Sequence, residues 1–210
     1  MNVLYEYLKK TYGKNEPIFV SDIAYADMSG NNIRQQVKKL TDAGLLKRYD
    51  TGIYFIPKNS IFKSGTQLSL NTVIERKYLQ DKNKCCGYIS GIAFANQLGI
   101  TTQVSMVCEI VTNKATNERR EITLANSRVI VRRPRVPVDE KNYRLLQFLD
   151  LMKDIDYYAE ITGGELNKCL CEYMKANSIV FADLEKYLKY YPDKIYRNLF
   201  ETRLLYGISS

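Results

Sequence analysis

Residues 29–56 read SGNNIRQQVKKLTDAGLLKRYDTGIYFI, and the rest of the chain is organised around them. Ile33, Val37 and Leu40 recur at the four-then-three spacing of one apolar stripe. That spacing predicts a helix with Ser29 as its N-cap and Gly44 as its stop. Asn31, Arg34, Gln35 and Lys38 then fall on the opposite face, which is polar and nearly free of acid. After Gly44, the runs Leu45–Tyr49 and Ile53–Ile56 read as two short strands joined through Asp50-Thr51-Gly52, a turn whose glycine accepts positive φ. Lys47 and Arg48 sit on the first of these strands.

The side chains on that helix face are the types that bond base edges and phosphates: Arg to guanine, Asn and Gln to adenine, Lys to backbone oxygens. A helix able to enter a major groove, followed by a basic hairpin able to lie against the flanking backbone, predicts a winged helix-turn-helix. The competing reading of the same residues is an ordinary amphipathic helix with a solvated polar face beside a hairpin.

Upstream, Leu4, Tyr5, Leu8 and Tyr12 mark a first helix ending near Gly13, and Pro17–Val20 an extended entry. Ser21–Ala24 is expected to open a short second helix capped by Ser21, with the helix-turn-helix turn at Met28-Ser29-Gly30.

The chain has 210 residues, room for one large or two modest domains. Its formal charge of +8 draws it toward polyanions without saying which. The sequence holds no apolar run of the roughly 20 residues that a membrane span needs, and no secretory leader pattern, so a soluble, cytoplasmic protein is expected. Five cysteines at irregular spacing fit reduced thiols better than a disulfide framework. Cys85-Cys86 and Cys169-Leu170-Cys171 lack the gap of a zinc knuckle, and there is no histidine, so no metal or other cofactor is expected. The missing histidine excludes catalytic triads built on it, and no phosphate-binding glycine motif is present. Carboxylate- or lysine-based catalysis stays formally open, but the expectation is a protein that is not an enzyme.

From Pro57 to about Leu70 periodicity is lost, and a linker is expected there, with one domain over 1–60 and a second over 61–210. A helix is expected from Leu70 to Leu79. The small, apolar residues of Gly87–Gly99 suggest a packed helix started near Ser90 and stopped at Gly99. Strand-like runs at Val104–Val111, Arg120–Leu124 and Arg128–Arg133 predict a small antiparallel sheet, and four helices are expected from Asp139 onward. The fold class is therefore α+β. The tyrosines of the last helices, Tyr187, Tyr190, Tyr191, Tyr196 and Tyr206, lie beside leucines at helical spacing and suit packing better than base stacking.

Charge is unevenly spread. Between Thr112 and Arg135, seven basic residues (Lys114, Arg119, Arg120, Arg128, Arg132, Arg133, Arg135) stand against Glu118 and Glu121, a denser positive balance than the nine against six of residues 1–60. The sheet is thus either an arginine-solvated surface or a second polyanion-binding surface.

With these segments in view, the chain resembles the AbiEi-like antitoxins and transcriptional regulators of type IV toxin-antitoxin, or abortive-infection, systems. The residues that carry the resemblance are LLKRYDTGIYFIP (Leu45–Pro57), YISGIAFANQLGITTQV (Tyr88–Val104) and EIVTN (Glu109–Asn113), within roughly Met1 to Arg135. The resemblance implies an operator-binding repressor of its own operon, with a second domain that counters a nucleotidyltransferase-type toxin without a stable complex. DNA reading would fall on Asn31, Asn32, Arg34, Gln35, Lys38 and Lys39, and the wing role on Lys47, Arg48 and Tyr54. The expected partner is double-stranded DNA at the chain's own promoter, bound as a dimer or cooperatively at inverted repeats. Two other readings remain open: an RNA-binding protein using the arginine-rich sheet, and a winged-helix adaptor that docks proteins.

Overall fold

The computed structural model describes residues 2–58 and 66–205. The chain divides into two compact units, Met1–Lys77 and Tyr78–Ser210. Asn59, Ser60, Ser64 and Gly65 of the expected linker, the 60/61 boundary and Tyr206 lie outside the described residues. The division between units falls within the expected helix after Leu70, which is α-helical only from Leu70 to Ile74 (α3) and continues as a π turn over Glu75–Leu79. No helix among the described residues is long and apolar enough to cross a membrane.

In the first unit, α1 (Val3–Thr11) starts where the Asn2 side chain accepts the Leu4 and Tyr5 amides, which would otherwise be orphaned, and it buries Leu4 and Leu8. β1 (Ile18–Phe19) follows. Then come α2 (Gly30–Asp42), β2 (Lys47–Asp50) and β3 (Ile53–Phe55). The three strands form an antiparallel sheet in the order β1-β3-β2, with Ile18 opposite Tyr54 and Arg48 opposite the same tyrosine on the other side. One core is made by Leu4 and Leu8 of α1, Ile33, Val37 and Leu40 of α2, and Ile18, Ile23, Leu46 and Ile56 around the sheet.

The expected helix at Ser21–Ala24 is corrected to a single 3₁₀ turn over Val20–Asp22. Ile23 is already extended, Ala26 takes φ +46°, and only Ile23 of this stretch is buried hydrophobic core. So short a segment, with one apolar anchor, cannot offset the cost of nucleating a helix.

The second unit opens with a tight hairpin, β4 (Gln80–Asp81) and β5 (Lys84–Cys85). Its main sheet has four strands: β6 (Gly87–Ser90), β7 (Val107–Thr112), β8 (Arg119–Leu124) and β9 (Ser127–Arg132), in the order β6-β7-β9-β8. This corrects the antiparallel expectation, because β7 and β9 run parallel. The chain passes β8 to the edge and returns β9 to the middle. The reason is composition: β9 contributes Val129 and Val131 and β7 contributes Ile110 and Val111, all buried, whereas Arg119, Arg120 and Glu121 of β8 are exposed. The polar strand takes the edge.

β6 is a strand not anticipated from the sequence, lying immediately ahead of the helix expected to start near Ser90. Gly87 lies so close to its neighbours that a Cβ there would stand 2.6 Å from the Val111 carbonyl oxygen and 2.9 Å from that of Tyr78, so glycine is required by backbone approach. Gly91, at φ +67°, then turns the strand into α4 (Gly91–Gln97). The strand expected from Val104 starts only at Val107, leaving Val104 and Met106 exposed.

Among the described residues the helical remainder holds α5 (Tyr143–Lys153), α6 (Ile155–Tyr158), α7 (Gly163–Ala176), α8 (Phe181–Leu188) and α9 (Lys194–Glu201), one more helix than expected. Every residue of α5 from Leu145 to Met152 is buried, as for a helix enclosed on all sides, and α5 packs on β6, α4, α8 and α9. Tyr191 is buried and Tyr187 packs on this core, whereas Tyr190 and Tyr196 are exposed.

Candidate nucleic-acid interface

The interface candidates of the first unit lie on α2 and on the hairpin that follows it. Ser29 Oγ accepts the Asn32 amide at 3.3 Å and fixes where α2 begins. With Ile33, Val37 and Leu40 turned into the core, Asn31, Asn32, Arg34, Gln35, Lys38 and Lys39 are all exposed. The face has internal order: Arg34 Nη1 donates to Asn31 Oδ1 at 2.9 Å.

Gly44, at φ +72°, ends the helix and redirects the chain into β2. β2 and β3 are joined at Thr51-Gly52, where Gly52 also takes φ +72° and the Thr51 amide donates to the Asp50 carboxylate at 2.6 Å. A bulge between Arg48 and Asp50 re-aims the strand there. Arg48 folds over this turn, Nε donating to the Asp50 carbonyl at 3.3 Å and Nη2 to Thr51 Oγ1 at 3.0 Å. Lys47 and Tyr54 are half-buried and Arg48 is exposed.

Helix and hairpin enclose an open cleft of about 730 Å³. Of the expected site residues it brings together Arg34 and Lys38 from α2 with Arg48 and Tyr54 from the hairpin. Asn31, Asn32, Gln35, Lys39 and Lys47 do not line it. Val37 and Ile53 are also on its wall, and Lys77 adds a cation against the single acid Asp42. Lys77 and the hydroxyls of Ser21 and Thr51 were missed by sequence reasoning, for no periodicity joins position 77 to position 34. Thr51 alone carried a signal, as a hydroxyl within a basic hairpin turn.

The basic residues of the second unit are placed differently. Arg128 pairs with Glu121 through Nε and through Nη2, the latter at 3.1 Å. Arg133 pairs with Glu118 at 3.1 Å and donates to the Thr116 carbonyl at 3.0 Å. Arg135 donates to the Tyr190 carbonyl at 3.1 Å and lies 5.3 Å over the Tyr191 ring. Lys114 donates to the Gln80 carbonyl and approaches Asp81. Arg120 faces the Tyr78 hydroxyl, and Arg119 is exposed on the edge strand β8.

Arg132 is the most enclosed of these residues. It joins Glu109 and Asp150, the latter at 3.1 Å with a side chain only 2% exposed. Asp150 also accepts the Tyr88 hydroxyl at 3.0 Å. Burial opposes the Arg132 charge, but the carboxylates of Asp150 and Glu109 outweigh it and hold the guanidinium protonated beyond its usual range. A charge so compensated holds sheet to helix and adds little to the external field.

Fold and cleft together define an α+β chain with two compact units, the first of which sets a basic helix face against a basic hairpin. The chain belongs to a family described as a family of unknown function (DUF6088), matched over residues 5–137. The matched span runs from α1 through β9 and ends before α5. No curated protein matches the chain.

Proposed function

We propose that the first unit is a winged helix-turn-helix module and that the protein is a sequence-specific DNA-binding repressor. The observation that carries this reading is the cleft in which Arg34 and Lys38 of α2 meet Arg48 and Tyr54 of the hairpin. On this reading α2 lies in a major groove about 12 Å wide, its exposed amides and guanidinium facing base edges. Lys38 and Lys39 reach the flanking phosphates, and the hairpin, with Lys47 and Arg48, rests on the backbone as the wing.

Repression is steric: the bound protein occludes polymerase. Inverted half-sites would take two copies, as a dimer or cooperatively. The ion pairs of the second unit favour the first unit as the polyanion surface, since five of the seven basic residues between Thr112 and Arg135 have acidic or carbonyl partners within the fold. The resemblance to AbiEi-like regulators supports a further step. The promoter bound would be the chain's own, and the second unit would counter a nucleotidyltransferase-like toxin without holding it. The protein would then act by binding alone, as an antitoxin and autoregulator and not as an enzyme.

The test is affinity for duplex DNA as salt is raised. Phosphate contacts predict a steep fall between about 50 and 200 mM salt. Salt-insensitive binding, or none, would move the function to a protein-docking role, and equal binding of RNA by an Arg34→Ala, Lys38→Ala variant would move it to the second unit.

A further inference from the structure

The Arg34–Asn31 hydrogen bond assigns these two residues unequal roles. The Arg34 guanidinium turns back one helical turn, where Nη1 donates to Asn31 Oδ1 at 2.9 Å. It passes over Gly30, where an added Cβ would stand 3.8 Å from Nη1. The head group is therefore held at the N-terminal end of α2, the part of a recognition helix that reaches base edges.

We propose that Asn31 is a positioning residue that fixes Arg34 for guanine, and that it is not itself a reader of adenine; the proposal rests on the DNA-reading function above. Reading adenine takes both ends of the amide, Oδ1 accepting from N6–H and Nδ2 donating to N7. Oδ1 already accepts a charge-assisted bond from Arg34, so an adenine N6–H would have to share that oxygen with the guanidinium. Arginine has donors to spare: one of its five N–H groups goes to Asn31, and guanine O6 and N7 need two more. An exposed arginine otherwise loses its rotamer freedom on reaching a base. The Asn31 tether removes part of that loss in advance.

The roles separate experimentally because an aspartate at position 31 would still accept from the guanidinium but could no longer donate to adenine N7. Duplexes selected from a randomised pool by the full-length protein, and single-base-pair variants of the selected site, are titrated with wild type, Asn31→Ala, Asn31→Asp, Arg34→Ala and the Asn31→Ala, Arg34→Ala double variant. All four variants change only the exposed positions 31 and 34, and circular dichroism checks that each is folded.

Asn31→Ala is expected to weaken the selected site by roughly three- to tenfold, the range of one hydrogen bond. It should relax preference at the same base pair as Arg34→Ala and have no further effect in the Arg34→Ala background. Asn31→Asp is expected to keep the wild-type preference. A switch toward cytosine in Asn31→Asp, or relaxation at a different base pair with additive losses in the double variant, overturns the positioning role while leaving DNA reading intact. A pool from which the wild-type protein enriches no sequence overturns both.

Discussion

Arg34 is the residue on which the functional reading depends most directly, because it joins the polar face of α2, the Asn31 bond and the cleft wall. Removing it should cost about 1–3 kcal/mol on a preferred duplex and relax specificity at one base pair, measured by competition among single-base variants. Lys38 lines the same cleft but carries a point charge without a planar fork. Lys38→Ala should therefore weaken all duplexes alike and reduce the salt slope by about one. Equal loss on preferred and random duplex for Arg34→Ala would remove base readout from that residue.

At the scale of elements, two features of the second unit bear on its stability. The carboxylate of Asp150 is enclosed with Arg132 and the Tyr88 hydroxyl between sheet and α5. Asp150→Ala leaves the guanidinium with Glu109 as its remaining carboxylate partner and should destabilise the second unit by about 3–5 kcal/mol in denaturant unfolding. The loop between α4 and β7 is clasped by Glu160, whose carboxylate accepts the Thr102 amide at 2.6 Å and its hydroxyl at 2.8 Å. Those bonds lower its pKa from 4.5 to about 2. A carboxylate depressed by folding stabilises above its unfolded pKa and loses that contribution as pH falls through the folded one. The gap in melting temperature between wild type and Glu160→Gln should therefore be widest above pH 4.5 and close as pH falls toward 2. A gap independent of pH would mean that the clasp acts by shape and not by charge.

These elements were unequally legible in the sequence. The polar and apolar faces of α2 and the hairpin turn were readable because Ile33, Val37 and Leu40 repeat at the helical period and Gly52 marks the turn. β6 was not, since four residues that begin with a glycine show no strand pattern until Val111 and Tyr78 are brought beside Gly87. The parallel pairing of β7 with β9 was also invisible, because strand order depends on which strand can bear solvent on its edge. The same holds for the ion pairs: a count of charges placed seven cations on the second unit's sheet without saying that Glu118, Glu121, Glu109 and Asp150 answer four of the bonds.

For the whole molecule, the formal charge of +8 is a statement about attraction to polyanions, and the structure apportions it. In the first unit the cations of α2 and the hairpin surround an open cleft; in the second, most cations between Thr112 and Arg135 are tied to acids or carbonyls. The family match covers both the α2–hairpin region and the four-stranded sheet, and α5–α9 lie beyond it.

On the proposed function the exposed polar face of α2 reads DNA. The most direct test of this reading is a gel-shift titration of the full-length protein on the DNA upstream of its own gene against random duplex of equal length, at two salt concentrations, with the Arg34→Ala, Lys38→Ala variant in parallel. Tight, sequence-preferring, salt-sensitive binding that the double variant loses is the expected result. Weak binding of equal strength to both duplexes, unchanged in the variant, would contradict it.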